Sequence, residues 1–200
     1  MTLAINKIIN SLLEILLFSL FPFLFWYFSA RKQERFTDWV GLKKIKGAKK
    51  TALAIIIVTT FYLLISLILL NSLKNIENAT SEFQGLRFAA LPAIFIYAVF
   101  NTSFPEEILF RGFILKRLAN KLGFAKANFI QGLLFGILHG VMFFPLVGNL
   151  KSILIILLTS LIALSMGYVN EKSSDGSIIP SWIIHAFSNF IAGLYAAFYI

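Results

Sequence analysis

Phe104-Pro105-Glu106-Glu107-Ile108-Leu109-Phe110-Arg111-Gly112 carries two adjacent carboxylates and a guanidinium inside sequence that otherwise dissolves in lipid. An ionisable group at membrane depth costs ~2.5–3.5 kcal/mol on insertion scales, so one that persists there points to function. Three such groups fall within about one and a half helical turns. The two histidines of the chain, His139 and His185, each lie in a later apolar segment. Two carboxylates, an arginine and both histidines inside hydrophobic sequence mark a site.

Working outward, composition sets the environment. The 200 residues suit one domain, 58% of them hydrophobic and 14% charged, with a mean hydropathy of +0.83. Several apolar runs reach about 18 residues or more, enough to cross a ~30 Å hydrocarbon layer. The chain therefore reads as all-α, a polytopic transmembrane helical bundle. Its net charge of +9 raises nucleic acid as a partner, but the bases cluster in short loops between apolar runs. That distribution suits positive-inside topology and contact with anionic lipid. No cysteine is present, which excludes disulfides, thiolate metal sites and a cysteine nucleophile. The first apolar run is too long for a signal-peptide core and lacks a small-residue cleavage site, so it reads as a retained span.

About six spans follow from the apolar runs. Leu12 to Ala30 is the first, ending in aromatics, with Glu14 read as an interfacial charge near its start. A basic loop from Arg31 to Lys50 leads to a second span, Thr51 to Leu73, and a polar loop, Lys74 to Gly85. The third span, Leu86 to about Leu118, is long and broken at Pro105, with Asn101, Thr102 and Ser103 as candidate caps. Spans over Ala127–Phe144, Leu150–Val169 and Ile178–Ile200 complete the set. Residues 1–85 thus hold two N-terminal transmembrane helices and an expected basic cytoplasmic loop, and 86–200 hold the helical core that carries the buried polar groups. Both termini are expected outside: thirteen of the 18 Lys+Arg then lie in inside loops, while Lys7, Lys74, Arg87 and Lys151 lie outside. This topology brings Glu106, His139 and His185 to similar depth.

On a helix, residues four apart share a face, so Glu107 and Arg111 pair, acid first. Glu106 is turned about 100° away and faces the bundle interior. His139 follows Phe135 by four, and Asn189 follows His185 by four. Gly132, Gly136 and Gly140 have the small-xxx-small spacing that lets a helix approach a neighbour closely. A carboxylate with a histidine can hold and deprotonate a water, and a second histidine with an amide can donate to an oxyanion. These are the parts of peptide hydrolysis. Glu106, His139 and His185 are also ordinary zinc ligands, so a zinc-dependent version stays open.

The ordered trio Glu106-Glu107-xxx-Arg111, Phe135-xxx-His139 and His185-xxx-Asn189 resembles the motifs of the CPBP (CAAX protease and bacteriocin-processing, or Abi) intramembrane proteases, which include the type II CAAX prenyl endopeptidases. The resemblance spans roughly residues 86 to 195. It implies an intramembrane endopeptidase in which Glu106 and His139 activate water and His185 and Asn189 form the oxyanion hole. Glu107, Arg111 and Phe135 would support them. No cofactor is implied, with zinc as the alternative. The implied partners are the bilayer and a peptide or membrane-anchored protein substrate, and the implied location is a multi-pass position in a bacterial cell membrane. Two rival readings remain: a non-catalytic bacteriocin-immunity or scaffold protein of the same fold, and a transporter with a buried Glu/His relay. A transporter is expected to carry inverted repeats, and no internal repeat is visible.

Overall fold

The protein is seen in a computed structural model that describes residues 2–72 and 76–199. The expected outside charge Lys74 lies outside the described residues. Among these residues the structure is helical throughout, with no strand. Its long helices are α1 (Thr2–Ser29), α3 (Ala48–Ser72), α4 (Arg87–Leu122), α5 (Phe124–Ser173) and α6 (Ile179–Tyr199), with a short α2 (Phe36–Trp39) in the first loop. Each long helix is apolar enough to cross a membrane. Gly148 breaks α5 at φ 72°, ψ −177°, a left-handed conformation open to glycine, and folds it into two arms. Six crossing segments result. Leucines and isoleucines such as Leu16, Leu17, Ile56 and Ile57 point outward from α1 and α3, the arrangement a lipid solvent requires.

The two arms of α5 pack closely along the glycine stripe. Gly132 and Gly136 meet Ser160, and Gly140 meets Ile156 and the Ser152 carbonyl, so added methyl groups would clash. Gln131 Nε2 donates to Asn128 Oδ1 at 2.9 Å and to the Ala163 carbonyl at 3.2 Å, tying the arms with groups that would otherwise be orphaned in hydrocarbon. The neighbour that these glycines admit is the next arm of the same helix.

α4 is one helix of 36 residues rather than two capped ones. Proline lacks an N–H, and its ring collides with the carbonyl four residues back. Here π-helical turns over Tyr97–Ser103 and Ile108–Leu115 flank a short α-helical piece, Phe104–Glu107, and absorb the interruption. Ser103 has helical φ/ψ and makes no side-chain cap, so the expected capping by Asn101, Thr102 and Ser103 does not occur. These polar side chains are free for other work. Such π turns lodge extra residues in a helix and often occur at functional sites.

One end of the bundle gathers the loops. The Ile178 amide donates to the Gly41 carbonyl at 2.9 Å, Thr51 Oγ1 to Ser173 O at 2.5 Å, and Ser177 Oγ to Lys43 O at 2.7 Å. Lys116 Nζ reaches Glu171 at 2.8 Å and the Gly176 carbonyl at 2.7 Å. Loops 31–50, 116–126 and 170–177 hold thirteen bases and four acids, so the entire +9 of the chain sits at this end. Exposed Lys46 and Asp175 pair there at 2.7 Å, and the lysine holds the Asp175 carboxyl below the usual range. This is the end where the expected inside loops meet.

α1 begins well before Leu12, and this moves Glu14. The carboxylate stands about 18 Å along a 28-residue helix rather than near its start. Lys7 and Ser11 share its face and are buried.

Candidate active site

α4 and α6 run antiparallel and share most of the polar groups. Glu107 is fully buried, and its Oε1 takes two partners. Arg111 Nη1 lies 3.0 Å away, one turn along α4, as the spacing predicts. His185 Nδ1 lies 3.1 Å from the same oxygen, across the interface from α6. A carboxylate accepts, so this histidine nitrogen carries a proton. The Arg111 contact is an ion pair too bent to count as a hydrogen bond, and no other acceptor among the described residues reaches its nitrogens. Its guanidinium instead lies over the Phe135 ring, 4.5 Å from the centroid.

Glu106 is turned from Glu107, as the 100° helical step requires. Its side chain is 18% exposed, and its Oε2 stands 3.9 Å from His185 Nε2. That oxygen is buried and has no hydrogen-bond partner. His185 therefore stands between the two glutamates, with Nδ1 towards Glu107 and Nε2 towards Glu106. Tyr62 of α3 closes over it, ring centroids 6.2 Å apart.

His139 approaches from the first arm of α5. Its Nδ1 lies 2.9 Å from the Phe135 carbonyl, which can only accept, so Nδ1 is protonated and Nε2 presents its lone pair in the neutral ring. The Phe135 ring stands 4.4 Å from His139 and 6.2 Å from His185. His139 is thus one aromatic ring from His185, and among the described residues it forms no ion pair with either glutamate. Phe110 meets Phe135 edge-on at 5.0 Å and fixes that ring from α4.

Asn189 lies one turn beyond His185. Its Nδ2 donates to Thr102 Oγ1 at 2.8 Å and approaches Ser103 Oγ at 3.4 Å. Four residues on α6 thus match five on α4: His185 meets Glu107, and Asn189 meets Thr102. The five-residue spacing on α4 spans the junction where the π turn Tyr97–Ser103 passes into the α-helical piece Phe104–Glu107.

The family model for type II CAAX prenyl endopeptidase, Rce1-like, matches residues 87–191. The chain belongs to the Rce1-like family. The matched residues exceed half of the chain and contain Glu106, Glu107, Arg111, His139, His185 and Asn189. No curated protein matches beyond chance, and neither does any solved structure. Rce1-like membership makes the chain a CAAX-type intramembrane protease, and its helices embed the site among apolar segments.

Within this Rce1-like chain, several neighbours of the site were not legible as motif residues. Thr102 and Ser103 read as caps, whereas the structure turns them to Asn189. Tyr62 lies in an apolar span with no spacing signal. Trp182 donates from Nε1 to the Val99 carbonyl at 2.9 Å and stacks near Phe104, bracing α6 against the π turn. Among the described residues no three histidine or carboxylate side chains, the set Glu106, His139 and His185 included, are placed to hold a metal ion.

Proposed function

We propose that the chain hydrolyses a peptide bond of a membrane-associated or peptide substrate with a water activated by Glu106 and His139. The observation that carries this reading is Glu106 Oε2, buried without a hydrogen-bond partner 3.9 Å from His185 Nε2. A water that donates to that oxygen satisfies it. His139 Nε2, with its lone pair exposed, supplies a second acceptor.

In the reaction, Glu106 takes one proton from the water as the oxygen adds to the scissile carbonyl carbon. The negative charge that develops on the carbonyl oxygen falls to His185 and Asn189. His185 holds Nδ1–H towards Glu107, so a bond donated to the oxyanion leaves from Nε2 of the doubly protonated ring. Asn189 has two amide hydrogens: one is held by Thr102, and the looser one, near Ser103, is available to the oxyanion. Collapse of the tetrahedral intermediate breaks the C–N bond, and the departing amine takes the proton from Glu106. Atoms and protons balance without a metal. The substrate chemistry that fits the family is a prenylated CAAX-type C-terminus.

The test is cleavage of a fluorogenic farnesylated CAAX peptide by the purified protein in lipid nanodiscs. Wild type is expected to cleave it. Glu106→Gln is expected to lose turnover by roughly 10²-fold or more with melting unchanged, since a carboxamide has no basicity to offer. Undiminished cleavage by Glu106→Gln would remove Glu106 from the role of base.

A further inference from the structure

The first turn of α6 has amide donors with no acceptor inside the helix, and each must be met from elsewhere. The Ile178 amide donates to the Gly41 carbonyl, and the Ile179 amide reaches Ser177 Oγ at 3.3 Å. Pro180 has no N–H. The Trp182 amide already bonds back to the Ile178 carbonyl. That leaves the Ser181 amide, and Asn170 meets it from the π turn Val169–Ser173 at the end of α5. Both residues are fully buried.

Asn170 grips Ser181 twice. Ser181 N donates to Asn170 Oδ1 at 3.1 Å, and Asn170 Nδ2 donates to Ser181 Oγ at 2.7 Å. Ser181 Oγ donates in turn to the Ile178 carbonyl at 3.0 Å. Asn170 is itself held, because its carbonyl accepts from the Gly176 amide and from Ser174 Oγ, both at 2.8 Å. One bond, to Oδ1, is enough to satisfy the orphaned amide. The second does more: two bonds from one planar amide resist both sliding and rotation of α6.

Ser181, His185 and Asn189 follow at intervals of four and so lie along one face of α6. Asn170 holds the first, Glu107 meets the second at 3.1 Å, and Thr102 holds the third at 2.8 Å. His185 is thus bracketed by a polar clamp one turn before it and another one turn after it. A slip of one residue at Ser181 would carry His185 ~1.5 Å along the axis and turn it about 100° away from Glu107.

We propose that Asn170 is a positioning residue of this active site: its two bonds to Ser181 fix the height and rotation of α6 one turn before His185, and so keep Nδ1 on Glu107 and Nε2 towards Glu106. The consequence for turnover rests on His185 donating to the oxyanion. A misplacement of about 1 Å can cost a reaction around 10²-fold, so the effect belongs in kcat.

The experiment reads the site twice in nanodiscs, with melting temperature alongside. The first reading is the imidazole N–H proton signals of His139 and His185, the two histidines of the chain, by NMR on isotope-labelled protein. Asn170→Ala is expected to shift or broaden the His185 Nδ1–H signal and to leave that of His139, bonded to Phe135, in place. The second reading is kcat and KM for the farnesylated CAAX peptide. Asn170→Ala is expected to lower kcat roughly 10- to 100-fold with KM unchanged. Ser181→Ala keeps the amide bond to Oδ1 and is expected to show a smaller change of the same kind, and the double variant no more than Asn170→Ala alone. Asn128→Ala removes another buried amide, one that ties the two arms of α5, so it is expected to lower melting yet keep the His185 signal and wild-type kcat. An unmoved His185 signal in Asn170→Ala overturns the proposal. Asn128→Ala matching Asn170→Ala in signal and kcat at an equal fall in melting makes the effect a general loosening and also overturns it. Should Asn170→Ala fail to fold, wild-type signal and kcat in Ser181→Ala overturn it as well. A displaced signal with undiminished kcat keeps the grip of Asn170 on His185 and refutes instead the donation from His185 to the oxyanion.

Discussion

Replacing Glu107 by glutamine separates what the buried carboxylate does for stability from what it does for the site. Its Oε1 serves Arg111 at 3.0 Å and His185 at 3.1 Å, and neither Glu107 nor Arg111 has any solvent exposure. Glu107→Gln leaves a guanidinium with no counter-charge in a dry interior, which typically costs ~3–5 kcal/mol. At roughly 2–4 °C per kcal/mol for a chain of this size, melting should fall by roughly 6–20 °C. The Phe135 ring under Arg111 supplies partial relief and favours the lower part of that range. Replacing both partners, as Glu107→Leu with Arg111→Leu, removes the charge problem and should melt well above Glu107→Gln. It should not recover turnover, because His185 has still lost the acceptor that holds Nδ1. The assay is differential scanning fluorimetry with peptide cleavage on the same nanodisc preparations. Wild-type melting in Glu107→Gln would refute the buried pairing. A double variant that regains full turnover would refute the part assigned to Glu107 in orienting His185.

Asn189→Ala is expected to lower kcat by about 10²–10³-fold with little change in KM, as for one lost oxyanion donor. In a double-mutant cycle, His185→Ala with Asn189→Ala should lose less than the product of the single losses; strictly multiplicative losses would give up the shared oxyanion hole. A chelator is expected to leave cleavage by the purified protein unchanged. Inhibition reversed by stoichiometric zinc would recast Glu106, His139 and His185 as ligands.

Much of this protein is written in local sequence. Apolar runs of membrane length dictate helices, because a bilayer leaves no other way to satisfy the backbone. The concentration of lysine and arginine in three loops predicts that they share one side of the membrane, and the structure brings those loops together at one end. Glu107 and Arg111 pair because residues four apart share a face, a relation internal to one helix. The motif spacings likewise name the side chains that α4, α5 and α6 present.

Tertiary structure decided which faces meet. Periodicity cannot say that His185 would meet the Glu107 oxygen that Arg111 also reaches, since His185 and Glu107 stand 78 apart in sequence. Pro105 signals an interruption, but whether the helix answers with a cap or with π turns depends on its packing. The π turns change the register by whole residues, and so Thr102 and Ser103 came to serve Asn189 rather than cap a helix. Glu14 shows the same limit most plainly. Its apparent place near the start of a span came from where the apolar run seemed to begin, whereas the helix extends to Thr2 and puts the carboxylate about 18 Å along it. A sequence reports the face on which a residue lies; what covers that face is settled by long-range packing.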